Sequence, residues 1–149
     1  MAGFPEPKPG LVISYSYLWS EEAERGQVEG RKDRPCAIVL ALADSDSEPG
    51  KCTEVAVVPI THSPPHDLGA AIEIPGRVKQ HLGLDADRSW VVLGEFNVFK
   101  WPGFDIRPIR RGNDRIDYGF LPPRFFDTLV QKFTELEEGG QVRSTARDV

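Results

Sequence analysis

The chain alternates between short apolar runs and polar breaks rich in glycine and proline, and most of the runs are too short for helices. "LVISYSYLW", Leu11 to Trp19, follows Gly10 and carries the β-branched and aromatic side chains that suit a first strand. "SEEAERG" then predicts a short helix: Ser20 is placed to cap it, Glu21 and Glu22 sit at its positive end, and Gly26 closes it. After an exposed loop, "QVEGRKD", Pro35 opens "PCAIVLAL", whose nearly continuous hydrophobicity predicts a strand buried on both faces. "CTEVAVVPIT" predicts a strand that returns across the polar "ADSDSEPGK" as the second arm of an antiparallel hairpin. These two strands are expected at the centre of the sheet.

Pro64 and Pro65 lack the amide donor and cannot continue a ladder. Beyond them, "AAIEIP" reads as a short strand, "GRVKQHLGL" as one or two helical turns, and "RSWVVLGEFNVFKW" as the longest strand, with Gly94 as a bulge. "GFDIRPIRRGNDRIDYGF" reads as a loop. In "PPRFFDTLVQKFTELEEGG" the prolines suit a first helical turn, and Phe126, Leu129, Val130, Phe133 and Leu136 recur at helical spacing. An amphipathic helix is therefore expected to pack on the sheet. The predicted organisation is a flexible arm at residues 1–9, one domain at 10–138 and a frayed tail at 139–149. Five or so short strands and one closing helix predict a mainly β fold, a small and strongly bent barrel.

Composition narrows the function classes. A chain of 149 residues can bury one core without disulfide staples. Its net charge of -5 argues against indiscriminate adhesion to nucleic acid but leaves room for a local basic groove. The longest apolar stretch, Cys36 to Ala43, is far below the length a bilayer requires, so no membrane association is expected. "MAGFPEPKPG" lacks the basic region and apolar core of a secretory signal. With Cys36 and Cys52 as the two thiols, reduced cysteines in a cytoplasmic protein are the expectation.

Candidate chemistry centres on "RKDRPCAIVL", where Arg34 stands directly before the proline that opens a buried strand. "PGLVISY", "KDRPCAIVLAL", "VAVVPIT" and "LPPRFFDTLVQKF" follow one another over residues 9–137, and in this order they resemble the MazF/PemK family of toxin ribonucleases. The resemblance implies an SH3-like barrel of the MazF/PemK/CcdB type with a C-terminal helix, and a homodimer that cleaves single-stranded RNA without metal or cofactor. It also implies a cognate antitoxin, with operator DNA contacted only as the toxin–antitoxin complex. It assigns the active site to the arginine of the "RP" element and the residue closing "VPIT", which here are Arg34 and Thr61.

The chemistry supports that assignment independently. Metal-free RNA cleavage uses the neighbouring 2'-hydroxyl as nucleophile, so the protein must orient a phosphate, neutralise the phosphorane and move two protons. The planar fork of an arginine suits the second task. Hairpin geometry predicts that Arg34 and Thr61 meet at one edge of the barrel. The proton carrier has two candidates, His62, which shares a site with Thr61 only if the strand has ended there, and Glu95 in the long strand. The chain departs from the family at "VVLGEFNVF", where the arginine that accompanies the acidic residue in some members has no counterpart. A non-catalytic barrel that binds RNA or a protein partner is the alternative reading. A topoisomerase poison, as in the related CcdB fold, lacks a match to the C-terminal residues such binding uses.

RNA contact is expected in two places. Arg25, Arg31 and Lys32 form one candidate flap. Between Lys100 and Arg115, five basic residues (Lys100, Arg107, Arg110, Arg111, Arg115) face Asp105 and Asp114, a local net charge of +3. Phe99, Trp101 and Phe104 lie among them as candidate stacking platforms, or as a small core of the loop itself. "HSPPH", His62 to His66, suggests a metal pair on spacing alone, but its prolines exclude the helical turn that brings two histidines together.

Overall fold

The computed structural model describes residues 4–30, 32–43 and 53–147. Among these, eight strands form a mainly β fold: β1 (Leu11–Tyr15), β2 (Arg34–Ala43), β3 (Thr53–Thr61), β4 (Ala71–Glu73), β5 (Trp90–Val92), β6 (Glu95–Trp101), β7 (Asp117–Phe120) and β8 (Arg143–Ala146). Three helices accompany them, α1 (Ser20–Glu24), α2 (Gly76–Leu82) and α3 (Pro123–Glu138). The strand order is β4-β5-β3-β2-β1-β7, and β6 pairs with both β3 and β8. All these pairings are antiparallel except β6 with β8. The path is open, so the closed barrel expected from the strand count is not formed.

The centre is the β2–β3 hairpin, as the sequence predicts, with Cys36 opposite Pro59 and Ala43 opposite Thr53. Both faces of it are buried over Cys36–Val39 and Val55–Val58, whereas Leu40 and Leu42, expected inside, are about half exposed. Ala37, Val39, Ala56, Val58 and Ile60 join Leu82, Leu129 and Phe133 in one cluster, while Cys36, Ile38, Val55 and Val57 join Tyr15, Tyr17 and Phe99 in another. Helix α3 closes the first cluster: Leu129 and Phe133 are buried in it, with Phe126, Val130 and Leu136 packed alongside. Pro123 occupies the start of that helix, where a missing amide costs nothing.

The predicted long strand is instead broken at Gly94, because β3 changes partner. Its first half pairs with β6, from Thr53 opposite Trp101 to Val57 opposite Asn97, and its end pairs with β5 at Ile60 and Thr61. Pro59, which has no amide to donate, falls in the gap between the two partners. Two further segments differ from the sequence reading. Residues 117–120, read as loop, form β7 against β1, a pairing that a four-residue segment containing Gly119 does not announce. Residues 143–146, read as frayed tail, form β8 in parallel register with Glu95–Val98. Arg147 then anchors the end, its side chain 1% exposed, on Ser16 O (2.7 Å), Asn97 Oδ1 (3.0 Å) and Asp105 (3.0 Å). No helix of the described residues is long and apolar enough to cross a membrane.

Candidate functional site

Two neighbouring cavities hold Arg25, Lys32, Arg34, Thr61 and His62, half of the residues singled out by sequence. The first, about 430 Å³, is lined by Tyr17, Trp19, Glu21, Glu22, Arg25, Lys32 and Arg34. Its floor is the end of β1, where Tyr15 pairs with Arg34 at the start of β2. Its wall is α1. Ser20 does not cap that helix; Trp19 holds the cap position, and Ser20 is bound to Glu95 through its backbone N–H (2.8 Å) and its hydroxyl (3.2 Å). Tyr17 donates its hydroxyl to the same carboxylate at 3.0 Å. Burial, reinforced by Glu95, holds the Tyr17 phenol well above its ordinary range, so it stays a donor. Asn97, fully buried, takes Leu18 N on its carbonyl (2.9 Å) and gives its amide to Leu18 O (2.8 Å), which sets the approach to α1.

Arg34 is half-buried in this cavity, with its guanidinium carbon 5.0 Å from the centre of the Trp19 ring. Its Nε is buried, with no hydrogen-bond partner among the described residues. Burial lowers its pKa from the arginine value, partly offset by Cys36, Glu22 and Tyr17, and the group remains a cation. Lys32 lines the same space, as does Arg25, which is paired with Glu21. Arg31 lies outside the described residues, as does Cys52. The loop carrying Lys32 lies tight on β1's continuation: a Cβ on Gly30 would come within 2.3 Å of Tyr17 O. Cys36 sits beneath, and burial pushes its thiol up, keeping it protonated and unreactive.

The second cavity, about 290 Å³, lies on the other side of the Arg34–Pro35 step and is lined by Pro35, Ile60, Thr61, His62, Lys79, Leu84, Asp85, Ser89 and Tyr118, among others. Strand β3 ends at Thr61, so Thr61 and His62 both reach this space, the condition that sequence reasoning set for them. Thr61 Oγ1 accepts from Ser63 N at 3.2 Å. His62 Nε2 is 2.7 Å from Asp85 Oδ2. Asp85 is in turn bound by Lys79 Nζ at 2.6 Å, and this hydrogen bond, ahead of the one from His62, holds its carboxyl below the usual carboxylate range. An ionised Asp85 requires Nε2 to donate, which leaves Nδ1 as the proton-accepting nitrogen of the neutral ring.

Lys79, 4% exposed, was not anticipated. Besides Asp85, its ammonium donates to Asp87 O and to Ser89 Oγ (2.8 Å). The His62, Asp85 and Asp87 side chains stand close enough together to hold a cation, and of these the Lys79 ammonium binds the Asp85 carboxylate, its bond to Asp87 being to the backbone carbonyl. The hydrophobic spacing of "GRVKQHL" gave no sign that Lys79 faces inward, since its acceptors lie in the loop after the helix.

The four expected catalytic residues thus fall into two pairs. Arg34 and, through Tyr17, Glu95 belong to the first cavity; Thr61 and His62 belong to the second. The β2–β3 ladder stops at Cys36 and Pro59, and the side chains of Arg34 and Thr61 line separate spaces, Arg34 the first and its chain neighbour Pro35, with Thr61, the second. Of the expected RNA contacts, Lys100 lies on β6 opposite Glu54. Trp101 packs against Phe4 (6.3 Å between ring centres) and Phe99 (6.2 Å), and Phe99 itself is buried on Tyr15, so both rings serve the loop's own packing. Phe104 is 92% exposed. Arg107 is bound to Phe104 O and lies 4.0 Å from Asp105. Arg110 and Arg115 line a third depression beside Gly83 and Tyr118.

No family model, curated protein or solved structure matches the chain. Its own geometry defines a mainly β domain with two cavities back to back across one strand start.

Proposed function

We propose that the chain is a cytoplasmic, metal-independent endoribonuclease of the MazF/PemK toxin type, acting on single-stranded RNA and restrained by a cognate antitoxin. The observation that carries this reading is Arg34: a guanidinium half-removed from water, stacked on Trp19, with a buried Nε–H that has no acceptor. Leaving a buried donor unpaired costs about 1–3 kcal/mol, and a phosphate oxygen is the acceptor that would relieve it. The open, bent sheet in which β3 serves two partners is compatible with an SH3-like barrel that is not fully closed, and such folds commonly pair as homodimers.

In the proposed reaction a phosphate seats on the Arg34–Pro35 ridge. Arg34 neutralises the charge that develops on it from one side, while Thr61 and His62 address it from the other. His62 Nδ1 takes the 2'-hydroxyl proton as that oxygen attacks phosphorus. As the bond to the 5'-oxygen breaks, that oxygen takes a proton from a water molecule and leaves as a hydroxyl, the His62 proton neutralises the hydroxide, and the other product carries a cyclic phosphate. Glu95, held by three donors, positions α1 and Tyr17 rather than exchanging protons.

The test is incubation of purified protein with labelled single-stranded RNAs in excess chelator. Cleavage to cyclic-phosphate and 5'-hydroxyl ends is expected, and its absence over varied sequences refutes the reading. The separation of Arg34 from Thr61 favours one alternative, a barrel that binds RNA or a protein partner without cutting. RNA binding that survives Arg34→Ala, with no cleavage by either form, selects it.

A further inference from the structure

The second cavity continues into the depression lined by Leu82, Ile109, Arg110, Asn113 and Arg115, because Gly83 and Tyr118 line both. We infer that this continuous groove is the track for one strand of RNA leaving the ridge, with a base against Tyr118 and the next phosphate on Arg110 and Arg115. The inference rests on the endoribonuclease reading and extends it to residues that reading does not use.

Three features point to a nucleotide. The second cavity, about 290 Å³, lies at the small end of the ~300–1,000 Å³ range of ligand pockets, room for a single heteroaromatic ring and little more. Its apolar walls, Pro35, Ile60, Leu84 and the Tyr118 ring, suit the faces of a base. Tyr118 is a fixed platform. Its hydroxyl is hydrogen-bonded to the Ser14 side chain, and burial, ahead of the nearby Cys36 and Asp33, raises its pKa so that the ring stays neutral.

The adjoining depression, about 310 Å³, contains two arginines and no acid. Arg115 Nε donates to Asp117 O at 2.8 Å, which orients its fork, and Arg115 N is held by Asn113 Oδ1 at 3.0 Å. In a chain of net charge -5, an aromatic wall followed by two cations is a local reversal complementary to a base followed by a phosphate. Gly83 permits the junction: it ends α2 in the left-handed region (φ 69°), where a side chain is strained, and so leaves the floor bare.

Binding of fluorescein-labelled single-stranded RNA to the full chain, by anisotropy across a salt series, tests the track together with steady-state cleavage. Arg110→Ala/Arg115→Ala changes exposed loop positions, so its melting temperature is expected to match the parent's. Its Kd and KM for RNA should rise about ten- to hundredfold with kcat within about twofold, and the slope of log K against log salt should fall by about 0.7, the value for the one phosphate contact the two arginines share. Tyr118→Leu should weaken binding about tenfold, whereas Tyr118→Phe, which keeps the ring, should not. Cleavage by the parent with unchanged Kd and KM in the double variant overturns the track and leaves the endoribonuclease reading intact. RNA binding without cleavage, weakened by the double variant, upholds the track and overturns that reading. Failure of the parent to bind any RNA at low salt overturns both. Binding of poly-glutamate more tightly than RNA overturns the track in favour of an acidic protein partner.

Discussion

Arg34 and Lys79 are the partly and fully buried cations of two adjacent cavities, and they are treated in opposite ways. Lys79 is deeper, yet its ammonium meets three acceptors, Asp85, Asp87 O and Ser89. Arg34 is shallower, yet its Nε meets none. A satisfied buried charge is part of the scaffold, whereas an unsatisfied one at a cavity wall is a site awaiting an acceptor. Depth of burial does not separate structure from function here; completion of hydrogen bonding does.

The largest test of that contrast is Arg34→Ala. Cleavage should fall about 10²–10³-fold, the typical loss for one donor to a developing oxyanion, measured as kcat on a saturating oligonucleotide. Its melting temperature should stay within about 3 °C of the parent, because the change removes an unpaired donor rather than a paired one. Lys79→Met should do the reverse, lowering stability by roughly 2 kcal/mol in urea denaturation by stranding Ser89 and the Asp87 carbonyl. A neutral Lys79→Met would break the comparison.

Asp85→Asn sharpens it through pH. Asp85's folded pKa is depressed by Lys79 and His62, so the stability linked to it is present above the ordinary carboxylate pKa of about 3.9 and is lost as pH falls through the lower folded value. The gap in melting temperature between parent and variant should therefore be open at neutral pH and close in acid. The same variant should lose about tenfold in cleavage, a smaller loss than that of Arg34→Ala, because His62 keeps its ring but not the partner that orients it. The smallest effect belongs to Tyr17→Phe. Glu95 keeps both bonds from Ser20, so the loss should be about 1 kcal/mol by denaturation, with little change in kcat.

What the sequence made legible was local. The two-faced burial of Cys36–Val39 and of β3 shows as apolar runs, though the run in β2 extends over the half-exposed Leu40 and Leu42; the α3 face shows as helical spacing, and Thr61 and His62 as neighbours at a strand end before prolines. What it hid depends on partners distant in the chain. β8 carries "RSTA", with no apolar alternation, and exists because β6 offers an edge; Asn97 reads as a polar interruption until Leu18 is seen to require both its donor and its acceptor. Nothing in the helix's own residues marks Lys79 as buried, because its acceptors lie in the loop at 85–89. Gly94 read as a bulge, but the full break there was hidden because it answers a change of partner along β3.

Strand β8 bears on the order in which the molecule can be completed. Arg143 reaches Glu24 on α1 at 3.3 Å, and Arg147 ties Ser16, Val28, Asn97 and Asp105 together from behind the Arg34 cavity. During synthesis from the amino end, the hairpin, the helices and all seven other strands emerge before those residues do. The contacts that Arg143 and Arg147 bring to α1, Ser16 and Asn97 therefore form only after the other seven strands have been made.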